Sequence, residues 1–169
     1  MALIQSIKEI SPQLPSSCFL AENSTVVGDV KLGENCSIWY NAVVRGDVNS
    51  IEVGDETNIQ DGAIIHCTYQ KAATKIGNRV SIGHKAIVHG CTIQDDVLIG
   101  MGAIVMDHAV IESGSIVAAG AIVTAGTKVE ANTIYAGIPA KKLNTVSEEN
   151  LEMIKRTAKN YTLYKTWID

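Results

Sequence analysis

Aliphatic residues recur along this chain at every sixth position, not at the 3.6-residue spacing that lines one face of a helix. The middle of the chain divides into "IGNRVS IGHKAI", and later into "IQDDVL IGMGAI VMDHAV IESGSI VAAGAI VTAGTK VEANTI YAGIPA". Most units open on Ile, Val or Leu and carry a small residue at the fifth position: Cys36, Ala42, Ala63, Ala86, Ala103, Ala109 and Ala121. A six-residue period suits a short strand followed by a tight bend. Strand alternation turns the first position inward and the second outward, and returns the small fifth position to the interior near a corner. Gly and Asn elsewhere in the unit serve the bends, where a positive φ costs them little. The pattern therefore predicts a mainly β, parallel solenoid. A β-sandwich is the alternative, but its strands do not keep one uniform length over so many units.

These hexads resemble the hexapeptide-repeat superfamily over roughly residues 16–143. The resemblance implies a left-handed parallel β-helix of triangular section with three hexads per turn. Its handedness comes from the resemblance alone, since the general rule for parallel crossovers is right-handed. After the coil comes "SEENLEMIKRTAKNYTLYKTWID". Ser147 is placed to cap a helix, Glu148 and Glu149 suit its positive end, and Leu151, Ile154, Ala158 and Tyr161 repeat at helical spacing. The expected organisation is a β-helix domain over 1–146 and a C-terminal α-helix over 147–169 packed along it.

Repeat phase sets the direction of each histidine. His66 and His89 hold the second, outward position after Ile65 and Val88, whereas His84 holds the third position of "IGHKAI". "TYQKAAT" interrupts the repeat between Ile65 and Ile76 and reads as a loop inserted at a corner. Hexads then begin at Ile65, Ile76, Ile82 and Val88, so one turn separates Ile65 from Val88. His66 and His89 are expected on one face, about 4.8 Å apart in adjacent coils. Two imidazoles at that spacing can share a metal ion at about 2.0–2.1 Å per bond. His84 starts from a different face, and a neighbouring subunit would deliver its copy, giving a cyclic homotrimer with three equivalent sites. Counting 18 residues from His66 would stack His84 on it instead, but the hexad phase disagrees. His108, in "VMDHAV", is given no ligand role.

Three neutral imidazoles leave an open position on Zn²⁺, which lowers the pKa of bound water toward about 7. Fe²⁺ or Co²⁺ suits the same nitrogen set. Arg45 and Asp47 in "RGDV", and Asn58, Gln60 and Asp61 in "NIQDGAIIH", are candidates to support the site. Gln60, at an outward position, is placed to hydrogen-bond water or substrate. Arg45 and Asp61 are candidates to pair across subunits.

"RGD", "NIQD" followed by a histidine, and two histidines five apart on hexapeptide repeats together resemble the γ-class carbonic anhydrases. The resemblance implies His66, His84 and His89 as metal ligands at a trimer interface. It places Gln60 and Asp61 near the water or bicarbonate, and Arg45 with Asp47 at the seam. The implied reaction is hydration of CO2 to bicarbonate by metal-bound hydroxide. One departure matters: the founding type has an acidic residue just after R-G-D and others in a longer loop after the first histidine. Here those places hold Val48 and the carboxylate-free "CTYQKAATK". Without that proton relay slow turnover is expected. Tyr69, Tyr161 and Tyr164 are expected to pack.

The ending "YAGIPAKKL" also resembles the close of the coil in hexapeptide acyltransferases, which use acetyl-CoA and a histidine base without a metal. Metal-assisted hydrolysis of a CoA thioester is a third candidate. A formal charge of −4 with scattered Lys and Arg argues against nucleic acid as a partner. No signal peptide or apolar run of about 18 residues is seen, so the expectation is a cytoplasmic protein without a membrane span. Cys18, Cys36, Cys67 and Cys91 lack C-x-x-C spacing and read as packing residues.

Overall fold

Val26, Ile38, Val44, Ile59, Ile65, Ile82, Val88, Ile99, Val105, Val117 and Val123 turn fully inward, with the small fifth-position residues beside them. A computed structural model describes residues 1–168 and resolves this alternation into a parallel β-solenoid of about seven turns. The inward columns stack coil on coil into one continuous core. Burying each Ile or Val contributes about 1.5–3 kcal/mol, so the repeat stabilises itself along its whole length.

The strands lie on three faces. The first carries residues 25–28, 43–46, Ile64–His66, Ile87–His89, Ile104–Val105 and Ile122–Val123. The second carries 30–32, 51–53, Thr74–Ile76, Thr92–Ile93, Val110–Ile111 and Lys128–Val129. Thr25–Leu32 and Val43–Val53 cross a corner, which joins these two faces, with Leu3–Gln5 paired to Thr25–Leu32 at the edge, into an eleven-stranded sheet. The third face runs from Phe19–Leu20 through Ser37–Ile38, Asn58–Ile59, Ser81–Ile82, Leu98–Ile99 and Ile116–Val117 to Thr133–Ala136. An antiparallel strand, Lys141–Thr145, closes it.

Register shows where the repeat departs from 18 residues. Phe19 pairs with Ser37, Ser37 with Asn58, and Asn58 with Ser81, so the second of these steps has three extra residues and the third has five. The extra chain leaves at corners, around residues 47–50 and 67–73. Corner residues adopt positive φ, and the predicted Gly and Asn are joined there by Glu56, Arg79, Lys85, Asp96 and His108. A side-chain ladder supports one such corner. Backbone N–H groups of Glu34, Asp55 and Asn78 donate to Asp55, Asn78 and Asp95 in turn, at 2.7, 2.8 and 2.8 Å. Each acceptor satisfies a donor that the bend leaves free.

Helix α1 spans Glu148–Tyr164. The Ser147 side chain accepts from the N–H of Asn150, whose side chain accepts from the N–H of Ser147, forming a reciprocal cap. Ile154 and Ala158 are buried against the third face, and Tyr161 meets Trp39 edge-on at 5.2 Å. Tyr164 packs on Tyr161 in turn, but Tyr69 is 59% exposed and packs on nothing comparable. Cys36, Cys67 and Cys91 are buried free thiols and Cys18 is partly buried. Among the described residues no helix is long and apolar enough to cross a membrane.

Candidate metal centre

Ile65 and Val88, paired in register and fully buried, hold their strands to the core and leave the next residue of each facing outward. Those residues are His66 and His89, themselves register partners. Their ring centroids are 5.1 Å apart, and Nδ1 of His66 faces Nε2 of His89 at 3.1 Å.

Carboxylates occupy the opposite edges of both rings. His66 Nε2–H donates to Asp47 at 3.0 Å, and His89 Nδ1–H donates to Asp107 at 2.5 Å. Asp47 also takes a charge-assisted hydrogen bond from Arg45. Burial works to raise the Asp47 pKa, but His66 and Arg45 outweigh it and hold the carboxyl below its usual range. Asp107 follows the same logic, with Thr68 and His89 overcoming burial. These bonds fix the tautomers. The two nitrogens that face each other are then bare lone pairs, which repel unless a proton or cation lies between them. Two ligands on a tetrahedral ion at about 2.0–2.1 Å stand roughly 3.3 Å apart, close to the observed separation. The pair therefore fits a nitrogen-bound divalent cation.

His84 lies on another edge of the solenoid, at the corner after Ser81–Ile82, where Lys85 has a positive φ. Its Nδ1 lies 2.9 Å from Asp61 Oδ2, and both side chains are 42% exposed. Gln60, expected to face outward, is only 5% exposed and lines one cavity together with Thr157 and Tyr161 of the helix. Its amide donates to Asn58 at 3.0 Å, and Asn58 donates to Ser81 at 2.8 Å. Burial pushes the Tyr161 hydroxyl up to about 12, so it stays protonated at the edge of this group.

Residues singled out in the sequence thus fall into two sets. Arg45, Asp47, His66 and His89 form one, and Gln60, Asp61 and His84 form the other. Arg45 and Asp61, candidates for pairing across subunits, each have a partner within the chain, in Asp47 and His84. Among the described residues of one chain, no three or more His, Cys, Asp or Glu form a group with metal-holding geometry. Asp107 was missed by sequence reasoning. Its signal is its distance of 18 residues from His89, one coil along the same corner.

Residues 90–125 match the family described as bacterial transferase hexapeptide (six repeats). The mitochondrial γ-carbonic anhydrase 2 of Arabidopsis thaliana is 39% identical over 163 residues, covering 94% of this chain and 59% of the plant protein. A probable carbonic anhydrase of Methanocaldococcus jannaschii is 49% identical over 142 residues, covering 84% of this chain and 89% of the archaeal one. This chain spans about three-fifths of the length of the Arabidopsis relatives it matches. The crystal structure of a hexapeptide transferase family protein from Anaplasma phagocytophilum superposes with a TM-score of 0.95 at 42% identity, covering 99% of this chain and 98% of that one. By the coil it builds and the relatives it matches along most of its length, the chain belongs to the γ-carbonic anhydrase family of left-handed β-helix proteins.

Proposed function

We propose that this protein is a metal-dependent carbonic anhydrase that interconverts CO2 and bicarbonate at sites shared between the chains of a homotrimer. The observation that carries the reading is the histidine arrangement: three imidazoles, each with one ring nitrogen within 3.0 Å of an aspartate, two of them facing each other through their remaining nitrogens. His66 and His89 of one chain would hold the ion, and His84 of a neighbour would complete the ligand set. Zn²⁺ suits three imidazoles with an open position, and Fe²⁺ or Co²⁺ fits the same nitrogens. When bound, the ion supplies the Lewis acidity that makes water nucleophilic near neutral pH.

The chain's own residues do the rest. Asp47, Asp61 and Asp107 orient the imidazoles and raise their basicity. Gln60, with one amide hydrogen given to Asn58, keeps its carbonyl oxygen and its second hydrogen to orient water or bicarbonate. Arg45 steadies Asp47 at the seam between chains. The loop after His66 carries no carboxylate, so proton departure is slow and limits turnover.

Metal content of anaerobically purified protein, measured beside His89→Ala, tests the proposal together with stopped-flow CO2 hydration. Wild type is expected to retain metal and a low hydration activity, both lost in the variant. Equal metal in the two proteins refutes the metal site, and acetyl-CoA turnover without CO2 hydration would move the function to acyl transfer.

A further inference from the structure

We propose that the corner loop after His66 is a clamp on the histidine pair, with Thr68 and Asp107 as positioning residues for His89. The inference rests on the metal reading of His66 and His89 and adds a role for the inserted loop.

The coil that contains this loop is five residues longer than the 18-residue repeat, and the additional chain makes one tight turn. Thr68 N–H donates to Ala72 O at 3.0 Å, Lys71 N–H returns to Thr68 O at 3.2 Å, and Gln70 takes a positive φ. Both ends of the turn reach the histidine strands. At the near end, Thr68 Oγ1 donates to Asp107 Oδ2, and the other oxygen of that carboxylate receives His89 Nδ1–H. At the far end, the fully buried Thr74 donates to the carbonyl of His66 and accepts from the N–H of Gly90. The loop therefore ties the His66 backbone to the residue after His89 while fixing the His89 ring through Asp107.

Gly90 makes room for this arrangement. It has φ +55, and a Cβ there would stand 2.5 Å from Asp107 Oδ1. A side chain at that position would push the carboxylate off the imidazole. With Thr68 in place, both Asp107 oxygens are engaged and His89 presents Nε2 toward His66. Without it, Asp107 is free to rotate and the aim of His89 loosens.

Two readouts test the clamp on the full chain: Zn²⁺ affinity by competition with a chromophoric chelator, and the ring-nitrogen NMR shifts of His89 in metal-free protein. Asp107→Asn is expected to weaken Zn²⁺ binding about 10–100-fold and to broaden His89 into a mixture of tautomers. Thr68→Val should weaken binding about fivefold, Thr68→Ser should restore it, and the double variant should be no worse than Asp107→Asn alone, because both act through His89. Thermal melting of the metal-free variants confirms that each is folded. If wild type binds Zn²⁺ and folded Thr68→Val and Asp107→Asn bind it equally well, the clamp is overturned. If wild type binds no Zn²⁺, the metal reading fails, and the NMR shifts then decide the clamp. A single Nδ1–H tautomer that loosens in both variants upholds it; unchanged shifts overturn it.

Discussion

Mixing two inactive variants tests the division of the candidate site into two sets. His84→Ala leaves the His66–His89 pair intact, with its facing nitrogens 3.1 Å apart, and removes only the imidazole on the other edge. His89→Ala destroys the pair and leaves His84 with Asp61 untouched. In a cyclic trimer a working site needs an intact pair from one chain and an intact His84 from the next. Neither pure variant can assemble one. When the two are unfolded together in equal amounts and refolded, every mixed trimer, of either composition, contains one ordered junction that meets both needs. Random assembly therefore restores about one quarter of the wild-type sites. Metal per chain and CO2 hydration rate should both return to about that fraction, and variants refolded separately and then combined should recover nothing. Wild-type metal content in pure His84→Ala would refute the sharing of sites, and a mixture that recovers nothing would refute the pairing of these two edges.

Three further outcomes follow from the coil and its corners. Ile65→Ala empties a fully buried position directly before His66 and should cost about 2–5 kcal/mol in denaturant unfolding, with metal affinity falling as the strand loosens. Gly28→Ala puts a Cβ 2.4 Å from the carbonyl oxygen of Gly46 at φ +75, so it should destabilise the first coils by at least about 1–3 kcal/mol, read from the same unfolding curves. Hydrogen bonding from Cys36, aided by Lys165, outweighs burial and lowers the Cys18 pKa to about 7 from an ordinary 9.0. Because the thiolate is the nucleophile, alkylation of Cys18 should rise with pH through about 7. Cys36→Ala should move that midpoint upward, and mass spectrometry of the labelled peptide reports both.

The histidine pair was legible because a solenoid converts sequence distance into coil number. Once the interval from Ile65 to Val88 is read as one turn with a looped-out corner, His66 must face His89, and the register agrees. The same counting applied to acids finds two of the three carboxylate partners: Asp61 lies one long coil before His84, and Asp107 lies 18 residues after His89, where the paired strands step by 17. Asp47 escapes it, because it reaches His66 from the extended corner after Gly46, outside the paired register. The burial of Gln60 was not legible, for a different reason. Strand alternation predicts a direction but not the exposure of that face, and the cavity beside Gln60 is walled by a helix that begins 88 residues later. Corner chemistry was half legible. Gly and Asn mark the easy positive-φ sites, whereas Glu56 and Arg79 adopt the same backbone within a stack of coils whose bends are held by hydrogen bonds from the coils on either side. The meeting of His84 with a neighbour's pair lies one level further out, since it depends on how chains dock, and that is the level the mixing experiment addresses.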